Sequence, residues 1–390
     1  MKKSILLVIV MILSVMLSCG DGSKLTNARY KTTTISLSEL DSVIVLDVDS
    51  NACRFDFLSN AAMMCVYKDS LLIVRNNDIG YGDPLITIYD ITDKGKRLAD
   101  YFPYGSDKGE MIACGFQIIG DELFVLDNFG TRQYCIIKLN EPLSSAEELE
   151  IISTGIEEHG AAIIPFRKGL LVENPQCYEN KEAGILNDVP RLLYYEQGKC
   201  MTPQNSVAYQ VQDINTGADI HNNLARHRVC FVSHHQPFVE FYDDSLRLIH
   251  RLDFPSDVNQ EIRIYEPVTT IHRKRGHGEK GRETKATFDK TQRVVGAGSQ
   301  LHSFLCSAAD EDYIYLVYCG KLFNHDYHAF PTLIFVMNWD GQVIDTYSYD
   351  RWVHYISPSS EKGVFYLTVY ANDDSEDAST RLVKVYSIKK

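Results

Sequence analysis

The chain has 390 residues, with 39 lysines and arginines against 52 aspartates and glutamates, and a formal net charge of −13. That balance excludes the basic footprint of a nucleic-acid-binding domain and suits solubility instead. The length is too great for one compact core, whereas a toroidal repeat fits, because each unit of a ring carries its own small core.

The first residues read as an export signal. Lys2 and Lys3 form a positive start, and Ile5 to Leu17 is apolar apart from Ser14. The run is too short to span a bilayer and has the place of a signal-peptide core. Ser18-Cys19 follows it as a lipobox-like pair. Residues 1–18 are therefore read as a lipoprotein signal peptide, and Cys19 as the lipidated mature N-terminus. Residues 19–38 are read as anchor and tether, and 39–390 as the folded domain. Two or three acyl chains hold a protein to a membrane far more firmly than one. The expected address is the bacterial cell envelope, through a lipid anchor at the outer membrane, with the membrane as the first partner.

Beyond the tether, strand-like apolar runs recur about every 50 residues. The clearest in each unit are Leu71–Val74, Leu123–Leu126, Leu170–Val172, Val229–Val232, Tyr313–Val317 and Val364–Val369. A second strand follows each: Ile86–Ile91, Cys135–Leu139, Leu192–Tyr195, Val239–Tyr242, Leu333–Met337 and Leu382–Ile388. Outer strands are legible at Leu98–Phe102, Leu248–Leu252 and Val343–Tyr347, the last preceded by the hairpin signal Asp340-Gly341. Helical periodicity is nearly absent, Ser145–Ile151 being the best short segment. Six such units predict an all-β, six-bladed β-propeller. The sixth unit is short of a strand. Ser42–Val48 is expected to supply it, pairing beside Leu382–Ile388, so that an N-terminal strand closes the last blade and leaves no open edge there.

Ser18-Cys19, Ser42–Val48 and the end of the first unit, Asp100 to Met111 with Gly105, Gly109 and Glu110, carry a family likeness. On these the chain resembles the TolB-like six-bladed propeller lipoproteins of Gram-negative bacteria. The resemblance implies the propeller fold and the envelope location. It implies no catalytic residues. In its own right, Gly105–Glu110 reads as a blade-to-blade turn that needs glycine freedom.

The gap between the fourth and fifth units holds an insertion near residues 266–300. Arg273, Lys274, Arg275, His277, Lys280 and Arg282 lie there among Gly276, Gly278 and Gly281. Two readings stand: a solvated loop, or a mobile loop that attracts an anion to one face. Histidines group loosely at His221 and His227, at His234-His235, and at His325 and His328. The acidic run from Asp373 to Asp377 reads as a solvated turn, and no metal or cofactor is expected. Nine cysteines remain after Cys19. Cys65, Cys135, Cys230 and Cys319 read as buried thiols. Cys177 with Cys200, and Cys306 with Cys319, are the pairs near enough to consider as disulfides in an oxidising compartment.

With no Gly-x-Ser-x-Gly elbow and no C-x-x-C, the expected function is a binding or scaffold propeller, a monomer recognising an envelope protein or a glycan. The alternative is a propeller enzyme that acts on a glycan or peptide in the central funnel. Its acids and histidines would come from different blades, where sequence spacing says nothing.

Overall fold

The computed structural model describes residues 30–40, 43–46, 52–54, 61–76, 79–105, 107, 109–111, 114–127, 132–156, 162–174, 191–201, 218–234, 236–255, 301–322, 332–350, 352–370 and 380–385. Three short strands come first: β1 (Lys31–Thr34), β2 (Ile44–Val45) and β3 (Ala52–Arg54). Blade one is β4 (Ala61–Tyr67), β5 (Leu71–Asn76), β6 (Pro84–Asp90) and β7 (Lys96–Pro103). Blade two is β8 (Cys114–Ile119), β9 (Glu122–Asp127), β10 (Gln133–Lys138) and β11 (Ile152–Ser153). Blade three is β12 (Ile163–Phe166), β13 (Gly169–Glu173), β14 (Leu192–Glu196) and β15 (Lys199–Cys200). Blade four is β16 (Ala218–Asn223), β17 (Arg228–Ser233), β18 (Phe238–Asp243) and β19 (Leu248–Asp253). Blade five is β20 (Leu301–Ala309), β21 (Tyr313–Leu322), β22 (Thr332–Asn338) and β23 (Val343–Tyr349). Blade six is β24 (Val353–Pro358), β25 (Phe365–Tyr370) and β26 (Thr380–Val385).

Within each blade the strands run as an antiparallel meander, and the six sheets form a six-bladed β-propeller. The ring is traced by its first strands: β12 lies against β16, β16 against β20, β20 against β24, and β24 against β4. Helix is confined, among the described residues, to single 3-10 turns. One is Ala146–Glu148, within the segment that reads as the best helix. It is stopped at one turn, although the Glu148 carboxylate accepts from the Ser145 N–H at 3.0 Å as a capping residue does.

The closing strand is not the one expected. Of the segment 42–48, the described residues 43–46 do not pair beside β26. Instead Ile44 and Val45 of β2 run parallel to Tyr347 and Ser348 of β23, on blade five. Blade six is closed by β3, whose Ala52, Cys53 and Arg54 pair antiparallel with Val383, Leu382 and Arg381. The stretch read as tether also contributes, since β1 runs parallel to β19 on blade four. The N-terminal segment is thus a strap across the rims of blades four, five and six. The physical reason is packing: Ile35 and Leu40 settle on the core between blades four and five, and Ile44 and Leu46 on the core between five and six. Two apolar seams are filled before the last blade is closed.

Six apolar clusters hold the ring, one at each junction. The middle strands explain them. Leu72 and Val74 of β5 face blade six, while Ile73 faces blade two. Val229 and Phe231 of β17 face blade three, while Cys230 and Val232 face blade five. Such strands are buried on both sides, and so they read as unbroken apolar runs. Each fully buried aliphatic or aromatic side chain contributes about 1.5–3 kcal/mol over its exposed state. Cys230 and Cys306 pack in these seams as free thiols. Cys306 is not bonded to Cys319, because its cross-strand partner is Val317; a disulfide needs Cβ atoms about 3.8 Å apart. Cys177, the expected partner of Cys200, lies outside the described residues.

Polar clamps reinforce the apolar seams at the turns between first and second strands. Arg226 of blade four reaches Asp312 of blade five at 2.6 Å, and Asp312 also meets Lys362 of blade six at 2.9 Å. Blade six is tied to blade one by Asp69. Its carboxylate accepts from the hydroxyls of Ser359 and Tyr366, both at 2.7 Å, and from that of Ser360. Lys68 and Asp69 both adopt positive φ, 44° and 55°, as the central residues of a type I′ turn do. That turn aims Asp69 across the junction where the ring begins and ends. A buried ion pair ties blade three to blade four. Arg191 Nε lies 2.7 Å from Glu240 Oε2, with side chains 1% and 0% exposed. Tyr242 donates to the same oxygen at 2.6 Å, and Arg251 meets Oε1 at 3.2 Å.

Two stability predictions follow from these ties. Burial alone would raise the Asp69 carboxyl, but the three hydroxyls and the charge of Lys384 outweigh it and hold the group at about 2 against an ordinary 3.8. Its contribution is therefore complete above the ordinary value and lost as pH falls from there towards about 2. Asp69→Ala should cost about 1–3 kcal/mol in urea unfolding at neutral pH and flatten that part of the acid-stability profile. Glu240→Ala removes a buried counter-charge of Arg191 and should cost about 3–5 kcal/mol by the same measurement. A loss under about 1 kcal/mol at either position would refute the corresponding clamp.

Candidate functional site

The first strands of the blades line the axis, and a polar network spans it. In β16 the odd-numbered residues turn towards blade five: Asp219 and His221 meet Ser307 of β20, and the Asn223 amide donates to the Glu311 carbonyl. The even-numbered Ile220 packs with blade three. Ser307 donates its backbone N–H and its hydroxyl to Asp219 Oδ2, both at 2.8 Å. His234, just past β17, meets Asp219 Oδ1 with its Nε2 at 3.1 Å. From across the axis, Gln117 of β8 donates to the Ile220 carbonyl at 3.3 Å and lies 3.4 Å from His221 Nδ1. Residues of blades two, four and five thus meet in one place.

The protonation states follow from this wiring. Asp219 is the strongest acceptor near Ser307, so the serine hydroxyl points at it. His221 Nε2, 2.7 Å from the same oxygen, must then donate, and its Nδ1 accepts from Gln117. Burial pushes His221 below 6.5; the Asp219 charge opposes this and the His234 charge adds to it. His234 goes the other way. Burial would lower it, but the charge and hydrogen bond of Asp219, with a further contribution from Glu173, raise it. Burial would raise Asp219, yet His234, His221 and Ser307 bring it down to about 2. One histidine is a neutral donor, and the other is a cation paired with a carboxylate.

This is not the wiring of a nucleophile. An activated serine gives its proton to a histidine whose far nitrogen is held by a carboxylate. Here the carboxylate is on the serine side, and an amide, Gln117, stands behind the histidine. Asp219 and His234 each keep 30% side-chain exposure, so the ion pair borders the axial space, whereas His221 is buried. The arrangement can hold a polar guest at the ion pair, and it ties blades two, four and five together.

The residues singled out in the sequence fall as follows. Cys19 and the basic set Arg273, Lys274, Arg275, His277, Lys280 and Arg282 lie outside the described residues, as do His235, His325, His328 and the acidic run. His227 lies in the turn between β16 and β17, its Nδ1 2.9 Å from Oδ2 of Asp244 in the turn between β18 and β19. Among the described residues no three His, Cys, Asp or Glu side chains converge as metal ligands. Gly105, Asp107, Gly109 and Glu110, the described residues of that segment, lie in the connection between blades one and two. Glu110 Oε2 accepts from the Asp107 N–H at 2.8 Å and from Tyr81 at 3.1 Å. A Cβ on Gly105 would lie 1.9 Å from that oxygen, so a larger residue there would push the Glu110 side chain aside. Asp219, Ser307 and Gln117 were not anticipated. The usable signal was alternation in β16, where Asp219, His221 and Asn223 share one face just before an apolar run.

In an NMR titration of the histidine rings, His234 should titrate above 6.5 and His221 below it. The Asp219–His234 pair contributes stability that is complete below the ordinary histidine value and lost as pH rises through the raised one. Asp219→Asn removes the charge that offsets burial, so the His234 midpoint should fall below its ordinary value. A His234 midpoint unmoved by Asp219→Asn would dissolve the pair.

No family model and no curated protein matches this sequence. Among solved structures the chain is similar to a member of the DUF4221 family from Bacteroides vulgatus, at 10% identity and TM-score 0.47, over 88% of this chain and 95% of that one. A candidate exported protein from Bacteroides fragilis is similar at 10% identity and TM-score 0.46, over 92% and 100%. The Pan2 WD40 domain from Neurospora crassa is similar at 10% identity and TM-score 0.41, over 88% and 98%.

Proposed function

We propose that this chain is a lipid-anchored propeller of the bacterial envelope that binds a partner and does not transform it. The observation that carries the reading is the axial wiring. Ser307 spends its proton on Asp219, and the base nitrogen of His221 faces Gln117. The polar groups that a funnel enzyme would use are engaged with one another across blades two, four and five. Recognition then falls to the loops on the faces of the ring. The basic insertion around Arg273, Arg275 and Arg282 is the natural contact for an anionic partner, an acidic glycan or an acidic protein patch, in a chain of net charge −13. The lipobox-like Ser18-Cys19 and the resemblance to TolB-like lipoproteins support the envelope address.

The test is an acidic-glycan array probed with the purified chain in rising salt, beside a variant carrying Arg273→Ser, Arg275→Ser and Arg282→Ser. Binding should weaken with salt, and it should fall about tenfold in the variant, given roughly 1 kcal/mol or less for each exposed charge removed. Binding that ignores both salt and the substitutions would reduce the insertion to a linker. Turnover of a glycan or peptide that His221→Ala abolishes would replace the binding reading with an enzymatic one.

A further inference from the structure

The strap leaves an apolar patch on the outer edge of blade five. Of the nine large apolar side chains exposed among the described residues, four lie here: Val45 at 80%, and Leu37, Val43 and Ile344 at 41% each. The others are spread over blades one to four. Three of them belong to the strap, and Ile344 belongs to the strand the strap pairs with. In the parallel β2–β23 pair, Ile44 stands beside Tyr347 and Val45 beside Ser348. Ile44 and Tyr347 turn into the core between blades five and six. Val43 and Val45 therefore take the opposite side, and Ile344 lies at the register shift of β23, between Val343 and Asp345. Leu37 sits in the 3-10 turn Leu37–Glu39, between Ile35 and Leu40, which hold that turn on the seam between blades four and five. Nothing in the fold requires these four to be apolar, since their neighbours already fill the seams. β2 is moreover the last strand of its sheet.

We propose that this edge docks on a lipid surface. The proposal rests on the reading of Cys19 as the acylated residue. Ten residues lie between Cys19 and Tyr30, so the eleven steps of chain reach at most about 40 Å. The chain then passes directly along blades four and five, so the anchor tethers this rim and not a face. A tether of that length holds the patch near the bilayer at an effective concentration on the order of millimolar. A few valine and leucine side chains then suffice for contact, although they would not recruit a free protein. The net charge of −13 gives anionic lipid no pull on the chain as a whole, so the contact is apolar and suits zwitterionic headgroups. The ring would stand on its rim, with both loop faces open to partners.

The experiment uses the full acylated chain in phosphatidylcholine liposomes. Tryptophan is placed at Val45 (Val45→Trp) and, as a control, at the exposed loop residue Tyr81 (Tyr81→Trp). The emission added over the unsubstituted chain is compared in liposomes with and without brominated acyl chains. Emission added at position 45 should drop about twofold, as expected for a side chain some 5–10 Å into the headgroup boundary, and that at position 81 should not change. No quenching at 45, or equal quenching at both positions, in protein that floats with the liposomes overturns docking and leaves the anchor reading intact. Protein that does not float and carries no acyl group on Cys19 by mass spectrometry overturns both. If a soluble Cys19→Ser chain dimerises and Val45→Asp returns it to monomer, the patch belongs to a second copy and the lipid proposal fails.

Discussion

Leu72 and Ile73 are neighbours in β5, and they serve different junctions: one packs towards blade six and the other towards blade two. The same division runs through β9, β17, β21 and β25. A blade cut out of this ring would expose both faces of its middle strands, so the small core each blade carries is complete only when its two neighbours are in place. Ring closure is the constraint on which every other contact depends. The loss of one junction leaves two apolar faces in water, and the cost is shared by the whole circle.

That constraint accounts for the concentration of ties where the chain begins and ends. Blade six lacks an outer strand of its own, and β3 provides one from the N-terminal side. At the same junction Asp69 accepts three hydroxyls of blade six from a turn with two left-handed residues. Elsewhere on the ring, Arg226, Asp312 and Lys362 link three successive blades by exposed charges. Exposed pairs of that kind contribute little singly. Their value lies in register, since each joins turns that the apolar seams alone would allow to slide. The buried Arg191–Glu240 pair differs in kind. Its two ions are out of water, and so each is costly without the other.

How much of this was legible in the sequence follows from the same burial pattern. The second and third strands of every blade could be read, because burial on both faces produces runs such as LFVL in β9 and VCFV in β17. Most of the first strands could not. β16 reads ADIHNN, with polar residues on its axial face, and nothing in that string separates a strand from a loop. The strap was misassigned for a related reason. Residues 43–46 are strongly apolar and were the natural choice to close the ring, whereas β3 is only Ala-Cys-Arg and gives no signal. Hydrophobicity identifies a segment that must be covered; it does not say which sheet does the covering. The axial site was hidden by topology. Ser307 is 88 residues from Asp219, and Gln117 is 104 from His221. Two of the loosely grouped histidines, His221 and His234, do converge there, while His227 pairs with Asp244 in the turns of blade four.

The strap and the axis divide the labour of the ring in a way that bears on binding. First strands converge at the axis, where there is no room for the large side chains that fill the seams, and a polar residue placed there must find partners or remain desolvated and unpaired. In blades two, four and five the partners are found in one another, with Asp219 as the shared acceptor. The axis is thereby made a structural joint, rigid because each member fixes the protonation of the next. The N-terminal strap lies at the opposite radius, on the rim, so it occupies neither face of the ring. A propeller tethered in that way keeps its loops unencumbered, and its recognition chemistry can vary by loop insertion without disturbing either the joint at the centre or the strap at the edge.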